Sequence, residues 1–187
     1  MSQLWMERNV LANIPGIPVP DGYLLRTFRP GDEPALARIY DVSGLGTATP
    51  EAVRIRMMDH PCYKPERIYL IEDASGPVGT AAAWVEPFDP GAGYLHMVGV
   101  MPGHRGKRLG AIVVTATIRH TRDEGFSVQR LKTDDFREDA IRLYAGLGYY
   151  PLYAEDAHQE RWLAIAERLG NPGILRLAHR FTPPPGA

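Results

Sequence analysis

The chain has 187 residues, 44% of them hydrophobic and 23% charged, a balance that supports one domain with a real core and excludes a disordered chain. The formal net charge of −1 offers no general attraction for nucleic acid or anionic lipid, so any basic site must be local. Cys62 is the single cysteine, which excludes an internal disulfide and fits a reducing compartment.

Residues 1–20 are rich in Pro and Gly (Pro15, Gly16, Pro18, Pro20) and read as an irregular lead-in. Glu7 and Arg8 stand where an export signal needs an apolar core, so none is expected and the location is read as cytoplasmic. Residues 23–28 make a short strand that turns at Arg29-Pro30-Gly31. Asp32 is placed as the cap of a helix carrying Leu36, Ile39 and Tyr40 on one face, ended by Gly44. Thr49 and Pro50 start a second helix, which His60-Pro61 stops. Residues 68–73 and 78–85 are strands around Ala74-Ser75-Gly76-Pro77, a hairpin signature. Residues 94–101 form a central strand apolar on both faces. Tyr94, His96, Val98 and Val100 are expected on one face, and Leu95, Met97 and Met101 on the other.

The next segment, Met101 to Gly110, is short, basic and punctuated by glycine. It runs into a helix on which Leu109, Ile112, Val113 and Ala116 recur at helical spacing, with Gly125 as the stop. A strand, a tight basic turn and a helix start make an anion site, because unpaired N–H groups and the helix dipole face outward there. Gly106 and Gly110 permit close backbone approach, and Arg105, Lys107 and Arg108 add charge suited to phosphate. A solvated basic turn is the plainer alternative, but cations and glycines coincide at this junction. Neither the P-loop pattern nor the dinucleotide G-x-G-x-x-G occurs.

Residues 128–133 read as another strand, after which Asp134 or Asp135 is placed as a helix cap. Residues 156–169 form an amphipathic helix with Trp162, Ala166 and Leu169 on one side and Gly170 after it. That side packs on the domain or on a second subunit, which leaves room for a homodimer. Residues 171–187 read as a tail, mobile over its last six residues. The longest apolar runs fall far short of a bilayer span, so no membrane partner is expected. The six histidines lack metal-ligand spacing, so no metal is expected.

Val100-Met101-Pro102 followed by Arg105-Gly106-Lys107-Arg108-Leu109-Gly110 resembles the coenzyme A pyrophosphate loop of the GNAT acyltransferases, with Arg108 at the usual middle glycine. Ala140-Ile141-Arg142-Leu143-Tyr144-Ala145-Gly146-Leu147-Gly148-Tyr149 resembles the family's A-I-x-L-Y-x-x-L-G-F ending. Tyr149 stands for Phe, and Arg137 stands where the family often has Asn. Tyr23-Leu24-Leu25-Arg26 with Gly31-Asp32 is similar to its first strand and helix, so the likeness spans roughly residues 21 to 152.

This resemblance implies an α/β (α+β) fold, a mixed and mostly antiparallel sheet flanked by helices, in a domain over residues 21–170. It implies acetyl transfer from acetyl-CoA to a primary amine of a small molecule by direct attack. The alternative is a non-catalytic acyl-CoA-binding module. Val98, Gly99 and Val100 would meet the pantetheine arm through main chain, and residues 105–110 the pyrophosphate. Tyr144 is implied as the acid that protonates the leaving thiolate, against a reading as core tyrosine. His96 is either a base or a buried, hydrogen-bonded histidine, with Glu86 and Asp89 as alternatives that otherwise face solvent. The acceptor is expected against residues 44–49 and the segment after Tyr149.

Overall fold

The structure, a computed structural model, describes residues 2–46 and 48–186. Met1, Thr47 and Ala187 fall in the lead-in, the 44–49 connection and the tail, and lie outside the described residues. Residues 4–9, expected to be irregular, form a strand, β1 (Leu4–Asn9), inside the sheet. Leu4 and Met6 enter one core and Trp5 the other, which is strand alternation. The charges that argued against an export signal are buried and partnered. Glu7 accepts from Arg130 Nε at 2.9 Å and from the Tyr150 hydroxyl at 2.8 Å, while Arg8 donates to the Asn13 carbonyl at 2.8 Å.

Seven further strands complete the sheet: β2 (Leu24–Thr27), β3 (Ile68–Asp73), β4 (Gly76–Glu86), β5 (Asp89–Val100), β6 (Val128–Thr133), β7 (Tyr150–Tyr153) and β8 (His179–Arg180). Their order is β2-β3-β4-β5-β6-β1-β7-β8, antiparallel except at β5–β6 and β7–β8. The sheet is therefore mixed and mostly antiparallel, as the resemblance implied. The stretch read as a tail contributes an edge strand, since β8 pairs with β7 at Leu152↔His179 and Tyr153↔Arg180.

Helices α1 (Glu33–Val42) and α2 (Pro50–Val53, continued by a π-turn over Arg54–Met58) cover one face. Helices α3 (Leu109–Asp123), α4 (Glu138–Gly146) and α5 (Asp156–Arg168) cover the other. Leu36, Tyr40, Val53 and Met57 meet Trp84 and Tyr94 in the first core; Ile112, Ile141 and Trp162 meet Leu4, Met6 and Leu95 in the second. The Thr49 hydroxyl caps α2 by accepting from Ala52 N at 3.1 Å. Asp32 holds the capping place of α1, but its carboxylate takes Arg26 and the Arg29 amide instead. Asp134 and Asp135 likewise hold Arg137 and Arg161, because α4 starts only after Arg137, so neither is a cap.

Two irregularities in β5 open the sheet and re-aim its side chains. Thr80 pairs with Gly99 but Ala82 with His96, so Met97 and Val98 both stand opposite Ala81. This is a β-bulge, and Met97 takes a positive φ of 51° within it. The extra residue reverses the alternation. His96 stacks on Trp84, on the side of α1 and α2, while Val98 and Val100 pack with Leu95 on the other side. The expectation that His96 shares a face with Val98 and Val100 is thereby corrected. Second, β5 and β6 pair in register only at Gly93↔Gln129 and Tyr94↔Arg130. Beyond Tyr94 the parallel strands diverge and open a gap through the sheet.

Candidate active site

Two clefts meet at this gap. The first, about 840 Å³, runs from the turn before α3, along β5, to α4. The second, about 440 Å³, lies between β5 and β6. Val98, Arg137 and Ala140 line both, so the clefts join where the strands part.

The first cleft gathers most of the residues expected at a pyrophosphate and pantetheine site. Val98, Gly99 and Val100 line it from β5, and Arg105, Gly106, Arg108, Leu109 and Gly110 from the turn. Lys107 does not join them. Its ammonium donates to the Tyr23 hydroxyl at 2.8 Å and lies 5.4 Å from that ring's centroid, while Tyr23 also bonds His104 Nδ1 at 3.0 Å. Lys107 thus braces the turn through Tyr23, outside the lining of the cleft. The first α3 bond from this region runs from Ile112 N to Arg108 O at 3.1 Å. Among the described residues, no acceptor takes the N–H groups of Gly106 to Ala111, which leaves them for an anion. Gly106 has φ +79° and Arg108 φ +62°. Arg108 therefore adopts the left-handed turn that a glycine would take without strain.

Ser43 was not anticipated. It follows α1, lines the first cleft, and its buried hydroxyl has no hydrogen-bond partner among the described residues. Gly99 makes room for it: a Cβ there would stand 2.6 Å from Ser43 Oγ. Arg137 fixes the same corner, donating to the Ser43 carbonyl at 3.2 Å, the Gly44 carbonyl at 2.8 Å and Asp134 at 3.1 Å. Where the resemblance led to an asparagine, this arginine ties the end of α1 to the start of α4. Pro15 and Ile17, from the stretch read as lead-in, also line this cleft.

Tyr144 and His96 both line the second cleft, brought together from opposite faces of the sheet by the gap. Tyr144 is buried, edge-on to Tyr149 with centroids 5.9 Å apart. Burial pushes its hydroxyl up to about 12, opposed by the Arg137 charge, so it keeps its proton at neutral pH. His96 is depressed to about 4, by burial first and then by Arg56 and His60. It is neutral at physiological pH and a weak base. Glu86 also lines this cleft and is half-buried, its pKa raised by burial against the pull of His60 and Lys132. Asp89 is elsewhere: it is buried, accepts from the Tyr94 hydroxyl at 2.8 Å and pairs with Arg130. Neither carboxylate is the solvent-facing loop group expected.

His120 and Cys62 stay outside the site. His120 Nδ1 bonds the Tyr69 hydroxyl at 3.0 Å, and the Cys62 amide donates to His60 Nδ1 at 3.1 Å. Among the described residues no three His, Cys, Asp or Glu side chains gather as a metal group, and no helix is long and apolar enough to cross a membrane.

The Acetyltransferase (GNAT) family matches residues 35–149, which contain the turn, α3 and the Tyr144 segment. A mycothiol acetyltransferase from Thermomonospora curvata is 34% identical over 142 residues, covering 73% of this chain and 47% of the relative. Another from Thermobispora bispora is 34% identical over 157 residues, covering 78% and 53%. The chain spans about half the length of these curated relatives. The solved GCN5-related N-acetyltransferase from Sphaerobacter thermophilus has the same fold, with TM-score 0.67 at 23% identity over 80% of this chain and 48% of that one.

Proposed function

The chain belongs to the acetyltransferase (GNAT) family, and on that premise we propose that it moves an acetyl group from acetyl-CoA to a primary amine of a small molecule. The observation that carries this reading is the junction of the two clefts at Val98, Arg137 and Ala140, with Tyr144 lining the second cleft beside it. The first cleft takes the coenzyme, its pyrophosphate against the free amides of residues 106–111 and its pantetheine arm along Val98, Gly99 and Val100. The amine enters from the second cleft. Its nitrogen bonds the acetyl carbon, the carbon–sulfur bond breaks, and the Tyr144 hydroxyl supplies a proton to the departing thiolate.

The amine must also lose a proton. Glu86 is the better acceptor of it than His96, because burial raises the carboxylate toward neutrality while it drives the imidazole away. A cytoplasmic location belongs to the same reading, supported by the single cysteine. The relatives' name makes mycothiol chemistry one acceptor class to include in a panel. Thiol release from acetyl-CoA, followed with a panel of primary amines, tests the proposal. Saturable, amine-dependent release supports it. Tight acetyl-CoA binding with no amine turned over would instead favour a non-catalytic acyl-CoA-binding module.

A further inference from the structure

The second cleft is lined by Arg56, Lys132 and Arg137 and by Glu86 and Asp134, and among these Glu86 and Lys132 carry opposite charges without pairing. Its carboxylates are Glu86 and Asp134, and Asp134 is engaged by Arg137 at 3.1 Å. The Glu86 carboxylate makes no hydrogen bond or ion pair among the described residues, although the residue is half-buried. Lys132, on β6, likewise has no carboxylate within ion-pair distance. Its ammonium is held by aromatic faces, 4.6 Å from the Trp5 ring centroid and 5.4 Å from that of Phe88. Trp5 is directly opposite Lys132 across the β1–β6 ladder, so the lysine is fixed in place by the strand register. A third group points the same way. Thr133, only 2% exposed, lines the cleft with a hydroxyl that has no partner among the described residues.

A half-buried carboxylate normally closes on a cation, because it remains partly desolvated until paired, whereas Glu86 is half-buried and unpaired beside an exposed Lys132. Lys132 pulls on the Glu86 carboxyl without pairing with it. We propose that a ligand bridges them, and that the amine acceptor is an amino acid: its amino group faces Glu86 and its carboxylate faces Lys132. This rests on the acyltransferase reading above and narrows its substrate class. The arrangement also suits the chemistry, since the carboxylate anchors the molecule at one end while the amine is presented to the carboxylate that takes its proton. Burial lowers the Lys132 ammonium and raises the Glu86 carboxyl, and a bound zwitterion would relieve both.

The test is calorimetry on protein saturated with coenzyme A, titrated with matched acid and amide pairs: glycine, β-alanine, 4-aminobutanoate and phenylalanine, each against its amide. At least one acid is expected to bind about tenfold tighter than its amide. Lys132→Glu should remove or invert that preference without changing coenzyme A affinity, and Glu86→Gln should weaken the acid and its amide together. Amides binding as well as acids, or no member of any pair binding, overturns the proposal. Thiol release separates it from the parent reading. Acids that bind but are never acetylated sink the transferase, whereas turnover of neutral amines with no preference for acids sinks only the amino-acid assignment.

Discussion

The His96 imidazole lies 5.7 Å from the Trp84 indole, with the ring planes 30° apart, on the face that α1 and α2 cover. Burial depresses it to about 4, whereas an unfolded histidine titrates near ~6.5. Between those values the unfolded chain binds a proton that the folded chain refuses. Stability is therefore fully present above the unfolded pKa and is lost as pH falls toward 4. Between pH 7 and 5 the loss from this group is about 2 kcal/mol. Urea unfolding at both pH values should show His96→Gln with a shallower pH dependence by that amount. Equal slopes would mean that the imidazole is not depressed.

Tyr144→Phe keeps the packing against Tyr149 and removes only the hydroxyl. If that hydroxyl protonates the thiolate, kcat should fall by roughly 10²-fold or more. Coenzyme A affinity should hold, because Tyr144 lines the second cleft and not the first. With the group raised to about 12, no alkaline loss of kcat from Tyr144 is expected up to pH 10. Unchanged turnover would return Tyr144 to the core.

Arg108 combines a charge toward the first cleft with a left-handed backbone. Arg108→Gly and Arg108→Ala both remove the charge, and each should weaken coenzyme A binding by about 1.5–3 kcal/mol if it meets phosphate. They differ in backbone. Alanine retains a strain of about 1–2 kcal/mol, and glycine relieves it at an entropic cost of roughly 0.5–1 kcal/mol. Glycine should therefore be the more stable variant in thermal unfolding. The reverse order would show a relaxed turn.

Gly99→Ala would place a methyl 2.6 Å from Ser43 Oγ and 2.8 Å from Ile39 Cγ2. Overpacking of this kind costs about 1–3 kcal/mol. Because Gly99 also lines the first cleft, coenzyme A affinity should drop with stability. Gly91→Ala, whose Cβ meets nothing within 4 Å, is the control and should match the wild type by calorimetry and thermal unfolding.

The strong local signals carried most of the fold. The hairpin at residues 74–77, the helical spacing from Leu109 and the Thr49 cap all appear as expected. The cleft along residues 105–110 was legible for the same reason, since its cations and glycines are contiguous in sequence. What depended on distant partners was not. The strand at Glu7 and Arg8 was read as irregular lead-in because Arg130, Tyr150 and Asn13, which satisfy these charges, are brought in by the fold. Lys107 was not told apart from its neighbouring cations because nothing local predicts its hydrogen bond to Tyr23. His96 was set on the wrong face because a single bulged residue, Met97, shifts the count, and a methionine at positive φ leaves no compositional mark.

The place of β1 has a bearing on how the molecule is made. Its six residues leave the ribosome before every other strand of the sheet, yet both ladders that hold it come from residues 128–133 and 150–153. Glu7 waits for Arg130, 123 positions later, and for Tyr150, 143 later. Until those segments emerge, a strand with both backbone edges open must stay unpaired. Sheet closure is thus a late, long-range event in synthesis, and the nascent half-sheet is the stage most exposed to wrong strand partners.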